Sequence, residues 1–234
     1  MAIIRQHKLF SWKNFQNDEK TLGDLERFKL VIDTIPDEKL INALRDLRAN
    51  GRNDYPLEAV WNSILAGIIF QHKGISSLQR ELNRNAQLRE LCGFNPVAGI
   101  NSVPSKSAYN RFLLNLIKYE FLIRDIFNEL VKQVKELVPE FGTNIAFDGK
   151  AIQSYGKKSK KSSLDGRREK DADWGVKTYK GVNKDGTLWE KVKSWFGFRL
   201  HLLVDADSEL PLNYKITKAS KHEQEIAIDL FDKL

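Results

Sequence analysis

Cysteine occurs once in this chain of 234 residues, at Cys92, so neither an intrachain disulfide framework nor a cysteine-based zinc site can be built. Histidine is nearly as scarce: His7, His72, His201 and His222 show no metal-ligand spacing. Long apolar runs are missing too. The most apolar stretch, residues 64–70, is far shorter than the roughly 20 residues that a bilayer demands of a helix. The first residues, Met1-Ala-Ile-Ile-Arg5, lack the charged-then-apolar layout of a signal peptide, and a cytoplasmic protein is the expectation. There is no phosphate-cradling glycine loop, no convincing Ser/His/Asp set, no internal repeat and no RNA-recognition signature. What remains is an ordinary globular composition, 41% hydrophobic and 29% charged, with length enough for one or two domains.

Charge is abundant but unevenly placed. Of 38 Lys/Arg and 31 Asp/Glu, residues 150–199 hold 14 and 6, leaving 24 and 25 elsewhere, so the net charge of +7 belongs to one segment. Such a localised surplus is either the footprint of phosphate-backbone binding or a lysine-rich loop kept soluble. Within it Lys157, Lys158, Lys160, Lys161, Arg167, Arg168 and Lys170 precede Trp174, Tyr179, Trp189 and Trp195. These aromatics could stack on exposed bases or anchor the segment on its own domain.

The chain up to about Phe141 reads as helical. Pro36 with Asp37 and Glu38 marks a start, and Gly51 a stop. Pro56 opens a helix carrying Leu57, Val60, Trp61, Ile64, Leu65 and Ile68 at helical spacing. Ser76 with Gln79 fits a capping box. Residues 105–116, opened by Pro104, are either a core helix or the recognition helix of a helix-turn-helix unit. A long helix follows, with Ile123, Ile126, Phe127, Leu130, Val134 and Leu137 on one face, ended by Pro139 and Gly142.

From Asn144 the period changes. Residues 144–152 have strand character. Trp195 to Asp205 alternates, with Phe196, Phe198, Leu200, Leu202 and Val204 on one face and Gly197, Arg199 and His201 on the other. Ala206, Asp207 and Ser208 supply a turn before a returning strand with Leu212, Tyr214 and Ile216. Ser220 and Glu223 are spaced as a capping box for a last helix carrying Ile226, Ala227, Leu230, Phe231 and Leu234. The domains expected are therefore 1–142, all helical, and 143–234, an α/β part with a basic insertion at 156–194, giving an α+β fold class overall.

Asp148 stands in an otherwise apolar strand, where its charge needs a metal ion, a basic neighbour or a turn at Gly149. It reads as a structural aspartate or as a metal ligand. Lys150 points to the same side in a regular strand, so it either pairs with Asp148 or holds a phosphate. Asp205 reads as a turn residue, and Asp171 and Asp173 as members of a solvated loop. His201 either approaches Asp148 or DNA, or is a satisfied, partly buried histidine.

Phe147-Asp-Gly-Lys150, Asp171-Ala-Asp-Trp-Gly-Val-Lys177 and Phe196-Gly-Phe-Arg-Leu-His-Leu-Leu-Val-Asp205 resemble, in that order, DDE transposases of bacterial insertion sequences. Leu210-Pro-Leu-Asn-Tyr-Lys-Ile-Thr217 and Lys221-His-Glu-Gln-Glu225 continue the likeness, while residues 55–116 resemble the helical N-terminal domain of that family. The resemblance implies a partial RNase-H-like domain in 143–234, with Asp148 as the first catalytic carboxylate and a ligand of Mg2+ or Mn2+. It implies double-stranded DNA, both element ends and target, as partner, held by Lys150, Lys157, Lys158, Lys160, Lys161, Arg167, Arg168, Lys177 and Arg199, with His201 in support. The reaction implied is DNA strand cleavage and transfer in a nucleoid-associated, membrane-free setting. The second and third carboxylates have no counterpart before Leu234, so an inactive form is expected, dimeric or aggregation-prone on its own. The alternative is a non-catalytic DNA-binding protein or repressor derived from a truncated transposase.

Overall fold

The computed structural model describes residues 23–49, 54–154 and 171–232. Contacts divide the chain into two compact units, Met1–Leu130 and Val131–Leu234. Gly51, proposed as a helix stop, and Leu234, placed on the last apolar face, lie outside the described residues.

The first unit is helical: α1 (Asp24–Thr34), α2 (Glu38–Arg48), α3 (Leu57–Ile69), α4 (Ile75–Arg84), α5 (Ala86–Cys92) and α6 (Lys106–Ile117), with α7 (Glu120–Leu137) following. Its starts follow the sequence punctuation closely. Pro56 precedes α3, where its missing N–H costs no hydrogen bond. Ser105 caps α6, its hydroxyl accepting from the Ala108 amide at 3.2 Å. The capping box expected from Ser76 and Gln79 does not form, because α4 begins two residues earlier than that box requires; Gly74 is the N-cap and its amide donates to Ser77 Oγ at 3.3 Å. Gln79 is thereby free to donate to the Pro104 carbonyl at 2.7 Å.

The core gathers Phe28, Leu40, Val60, Leu78, Leu82 and Tyr109, all nearly or wholly buried. Several polar groups that enter it are paired. The Trp61 indole donates to Asp37 at 2.6 Å, and the Ser63 and Tyr109 hydroxyls share a hydrogen bond at 2.8 Å. Buried Arg89 donates to the carbonyls of Leu82, Asn83 and Pro96, tying the α4–α5 corner to the loop beyond. Helix α6 turns Tyr109, Phe112 and Leu116 into this core. Among the described residues no helix is long and apolar enough to cross a membrane.

The second unit contains β1 (Ile145–Gln153), β2 (Asp173–Val182), β3 (Leu188–Asp205), β4 (Pro211–Lys218) and α8 (Glu223–Phe231). All strand pairings are antiparallel, and β3 is shared by the other three. Together the two units form the expected α+β arrangement, helices first and an antiparallel sheet after.

The 18-residue β3 does two jobs. Its second half, from Gly197 onward, lies between β1 and β4. Its first half pairs with β2, from Asp173 opposite Gly197 to Val182 opposite Leu188, as a two-stranded ribbon. Much of the expected basic insertion is therefore regular strand, and Asp173 begins β2 instead of sitting in a loop. The alternation is present in the sequence as Trp174, Val176 and Thr178 against Lys177 and Tyr179. It is easily missed because neither face of the outer ribbon is deeply buried.

Helix α8 covers one face of the sheet. Leu203, Leu212, Ile226 and Leu230 form a small core there, with Phe141, Ile145 and Phe147 packed against it. A bulge at Leu203/Val204 shifts the β3–β4 register, which lets Leu212 join this face. The stripe Phe198, Leu200, Leu202 and Val204 lies on the other face and is only half-buried.

Candidate functional site

The register of β1 on β3 decides which candidate residues share a face. Asp148 pairs with Leu202, Lys150 with Leu200 and Ile152 with Phe198, so Asp148 and Lys150 project from the face opposite α8. Both are exposed. Lys150 stands on the same side as Asp148, as strand alternation requires. The desolvation problem anticipated for Asp148 does not arise, because β1 is open on that face and water reaches the carboxylate. Its Oδ1 accepts from the Gly149 amide at 2.8 Å.

Leu202 across from Asp148, and Tyr214 beyond it on β4, bring no second acid to this face. Among the described residues no group of three or more His, Cys, Asp or Glu is disposed to hold a metal ion. A centre that binds two metal ions needs several carboxylates; the described donor set, one exposed aspartate, does not make one.

The opposite face is built around Gly149. This glycine sits across from His201, and a Cβ on it would come 2.5 Å from Glu223 Oε1. The missing side chain thus makes room for the first residue of α8. Glu223 was expected to close a capping box with Ser220, but the N-cap is His222 and no side chain caps the helix. Its carboxylate instead accepts from Arg199 Nη1 at 3.1 Å. The Arg199 guanidinium also lies over the Trp195 ring, 5.2 Å from its centroid. Arg199, only 8% exposed, does not project outward as a DNA contact would. It spans the sheet and α8 because a buried guanidinium needs its partners close.

His201 is fully buried on this same face, away from Asp148. It stacks on Phe147 with 6.0 Å between ring centroids and shares a 2.9 Å hydrogen bond with the Thr217 hydroxyl. Burial first, then the neighbouring Arg199 and Lys215 charges, lower its pKa, with Glu223 opposing. Of the two alternatives for His201, the geometry is that of a packed histidine. Lys215 reaches α8 as well, pairing with Asp229 at 2.5 Å.

Asp205 is a turn residue. Buried, it accepts from the Ser208 hydroxyl at 2.7 Å and from the Ser208 and Gly142 amides at 2.8 and 2.9 Å. These bonds, the Ser208 hydroxyl foremost, hold its carboxyl below the usual range. It faces the α8 side and belongs to no acidic cluster with Asp148.

Lys177 lies on the ribbon directly opposite Lys193. Lys157, Lys158, Lys160, Lys161, Arg167, Arg168 and Lys170 lie outside the described residues. Two of the aromatics that follow them anchor the ribbon across its own strands. Trp195 packs over Gly175 and Trp189 over Gly181, where a Cβ would come within 2.5 Å of either ring. Sequence reasoning gave Glu223 a capping role and missed its pairing with Arg199 over Gly149, which joins residues distant in sequence.

Residues 140–234 match the family model of the transposase DDE domain. No curated protein and no solved structure matches the chain. The family match supports a DDE-type transposase.

Proposed function

We propose that this chain, with a transposase DDE domain matched over residues 140–234, works on DNA in the cleavage and strand transfer of transposition. Asp148 is the carboxylate assigned to the divalent metal chemistry of the reaction, and Mg2+ or Mn2+ is the ion proposed. The observation carrying this reading is its position: an exposed acid on the open sheet face, with Lys150 beside it, inside the matched segment. Lys150 and Lys177 are assigned to phosphate, together with the basic run from Lys157 to Lys170. Arg199 and His201 are assigned to positioning, since Arg199 ties β3 to α8 and His201 links β3 to Phe147 on β1 and Thr217 on β4.

No second described carboxylate stands beside Asp148 on β3 or β4, too few donors to hold two metal ions. We therefore propose that the chain by itself binds duplex DNA without cutting it. This outcome also accommodates the repressor reading. The test incubates the chain and its Asp148→Ala variant with Mg2+ or Mn2+ and supercoiled DNA carrying candidate element ends. Binding without nicking is expected from both. Nicking abolished by Asp148→Ala would sink the non-cutting proposal and show that residues outside the described set complete the metal site.

A further inference from the structure

The β2–β3 ribbon separates its charges by face. On the face shared with α8, the cross-strand pairs are Lys177 with Lys193, Tyr179 with Lys191, and Gly181 with Trp189. This face carries three lysines and no acid between them. On the other face, Thr178 pairs with Val192, Val176 with Ser194 and Val182 with Leu188, while Lys180 is neutralised by Glu190 at 3.3 Å. Sequence order hides this separation, because Lys180 and Glu190, which pair with each other, lie among the lysines of the opposite face in both strands.

Like charges directly across an antiparallel pair repel, so Lys177 opposite Lys193 is unfavourable unless something offsets it. Tyr179 provides part of the offset: the two ammonium groups lie 5.8 and 5.4 Å from its ring centroid. Neither lysine, nor Lys191, makes an ion pair with a described residue. Lys191 and Lys193, two positions apart on one strand, extend the positive surface by about 7 Å.

We propose that this face of the ribbon is a docking surface for the phosphate backbone of duplex DNA, with Lys177, Lys191 and Lys193 as contacts and Tyr179 as their support. The proposal rests on the DNA reading above and gives it a surface that the basic run at 157–170 does not include. A two-stranded ribbon is narrow enough to follow a duplex groove. The Tyr179 ring is already engaged by two lysines, so it organises cations rather than offering a free platform for an unpaired base. Backbone contacts of this kind position a protein on DNA without reading its sequence.

The experiment measures binding of the full chain to two labelled duplexes of about 30 base pairs and unrelated sequence, by fluorescence anisotropy across a salt series. The ribbon-face variant carries Lys177→Ala, Lys191→Ala and Lys193→Ala; the control carries Lys180→Ala and Lys184→Ala from the same hairpin. The ribbon-face variant should flatten the log–log salt slope by up to about 2.7, at about 0.9 for each phosphate no longer neutralised, equally on both duplexes. The control should change the slope far less per charge removed. Tyr179→Leu should weaken binding with every lysine still present, while Tyr179→Phe should preserve it. Equal loss per charge from both lysine sets would overturn the proposal, as would an unchanged slope in the ribbon-face variant when the parent chain binds well. A parent chain that binds neither duplex would overturn the DNA reading itself.

Discussion

His201 and Asp148 are separated by one strand position in register and by the whole thickness of the sheet. Asp148 faces water, whereas His201 is closed in by Phe147, Thr217 and the charged groups of Arg199, Lys215 and Glu223. Because the folded state holds the imidazole below its ordinary pKa of 6.5, the unfolded chain takes up this proton first on acidification. The contribution of neutral His201 is thus complete above about pH 6.5, is lost as pH falls below it, and loses nothing more once both states are protonated. Asp205 acts in a lower window. Its depressed carboxyl contributes fully above the ordinary value of 3.8, and that contribution is lost as pH falls through the folded value. Urea melts between about pH 7.5 and pH 5 should show a falling midpoint in the parent chain and a flatter profile in His201→Gln. Equal pH slopes in the two proteins would mean that His201 is not the group titrating.

At the scale of elements, Gly197 marks where the three-stranded part of the sheet gives way to the ribbon. It pairs with Gln153 on one side and Asp173 on the other, and a Cβ would meet the Ile152 carbonyl oxygen at 2.2 Å. Gly186, in the turn between β2 and β3, also has positive φ but has open space around it. Gly197→Ala should cost on the order of 1–3 kcal/mol through overpacking against backbone, with added strain from its own φ. Gly186→Ala should cost only the left-handed backbone penalty, about 1–2 kcal/mol. Urea midpoints of the two variants check the ranking, and a smaller shift for Gly197→Ala would contradict the geometry.

Legibility in the sequence followed burial. Helix starts at Pro56 and Ser105 were readable because capping chemistry is local, and β1 and the end of β3 because their alternation is strong. The ribbon was harder to read because its alternation is not between apolar and charged but between β-branched and basic. The two faces of β3 were assigned correctly. Which of them α8 covers depended on Gly149, Glu223 and the bulge near Leu203, all set by pairings distant in sequence.

Across the whole chain, the two units carry very different cores. The first buries Phe28, Leu40, Leu78, Leu82 and Tyr109 among many others, while the second rests on Leu203, Leu212, Ile226 and Leu230. Stability scales with buried apolar area, so the sheet unit should open under milder conditions than the helical unit. Cys92 makes this measurable, because it is wholly buried in the helical core and burial raises its thiol pKa. In rising urea, amides of β1–β4 should exchange with deuterium before Cys92 becomes available to a thiol reagent. Simultaneous onset of exchange and labelling would indicate a single cooperative unit.

The division of the ribbon into a lysine face and a β-branched face also limits how its length can change in descent. Strand side chains alternate, so inserting one residue inside β2 would carry every position beyond it to the opposite side. The lysine would then leave Tyr179, and the indoles would lose the glycines beneath them. Without a bulge of the kind at Leu203/Val204, length changes within these strands keep both faces only in even steps, matched on both sides of the hairpin, whereas the turn at 183–187 lies outside the paired strands. Relatives of this segment should differ in hairpin length by an even count or differ in the turn alone: here heredity obeys parity.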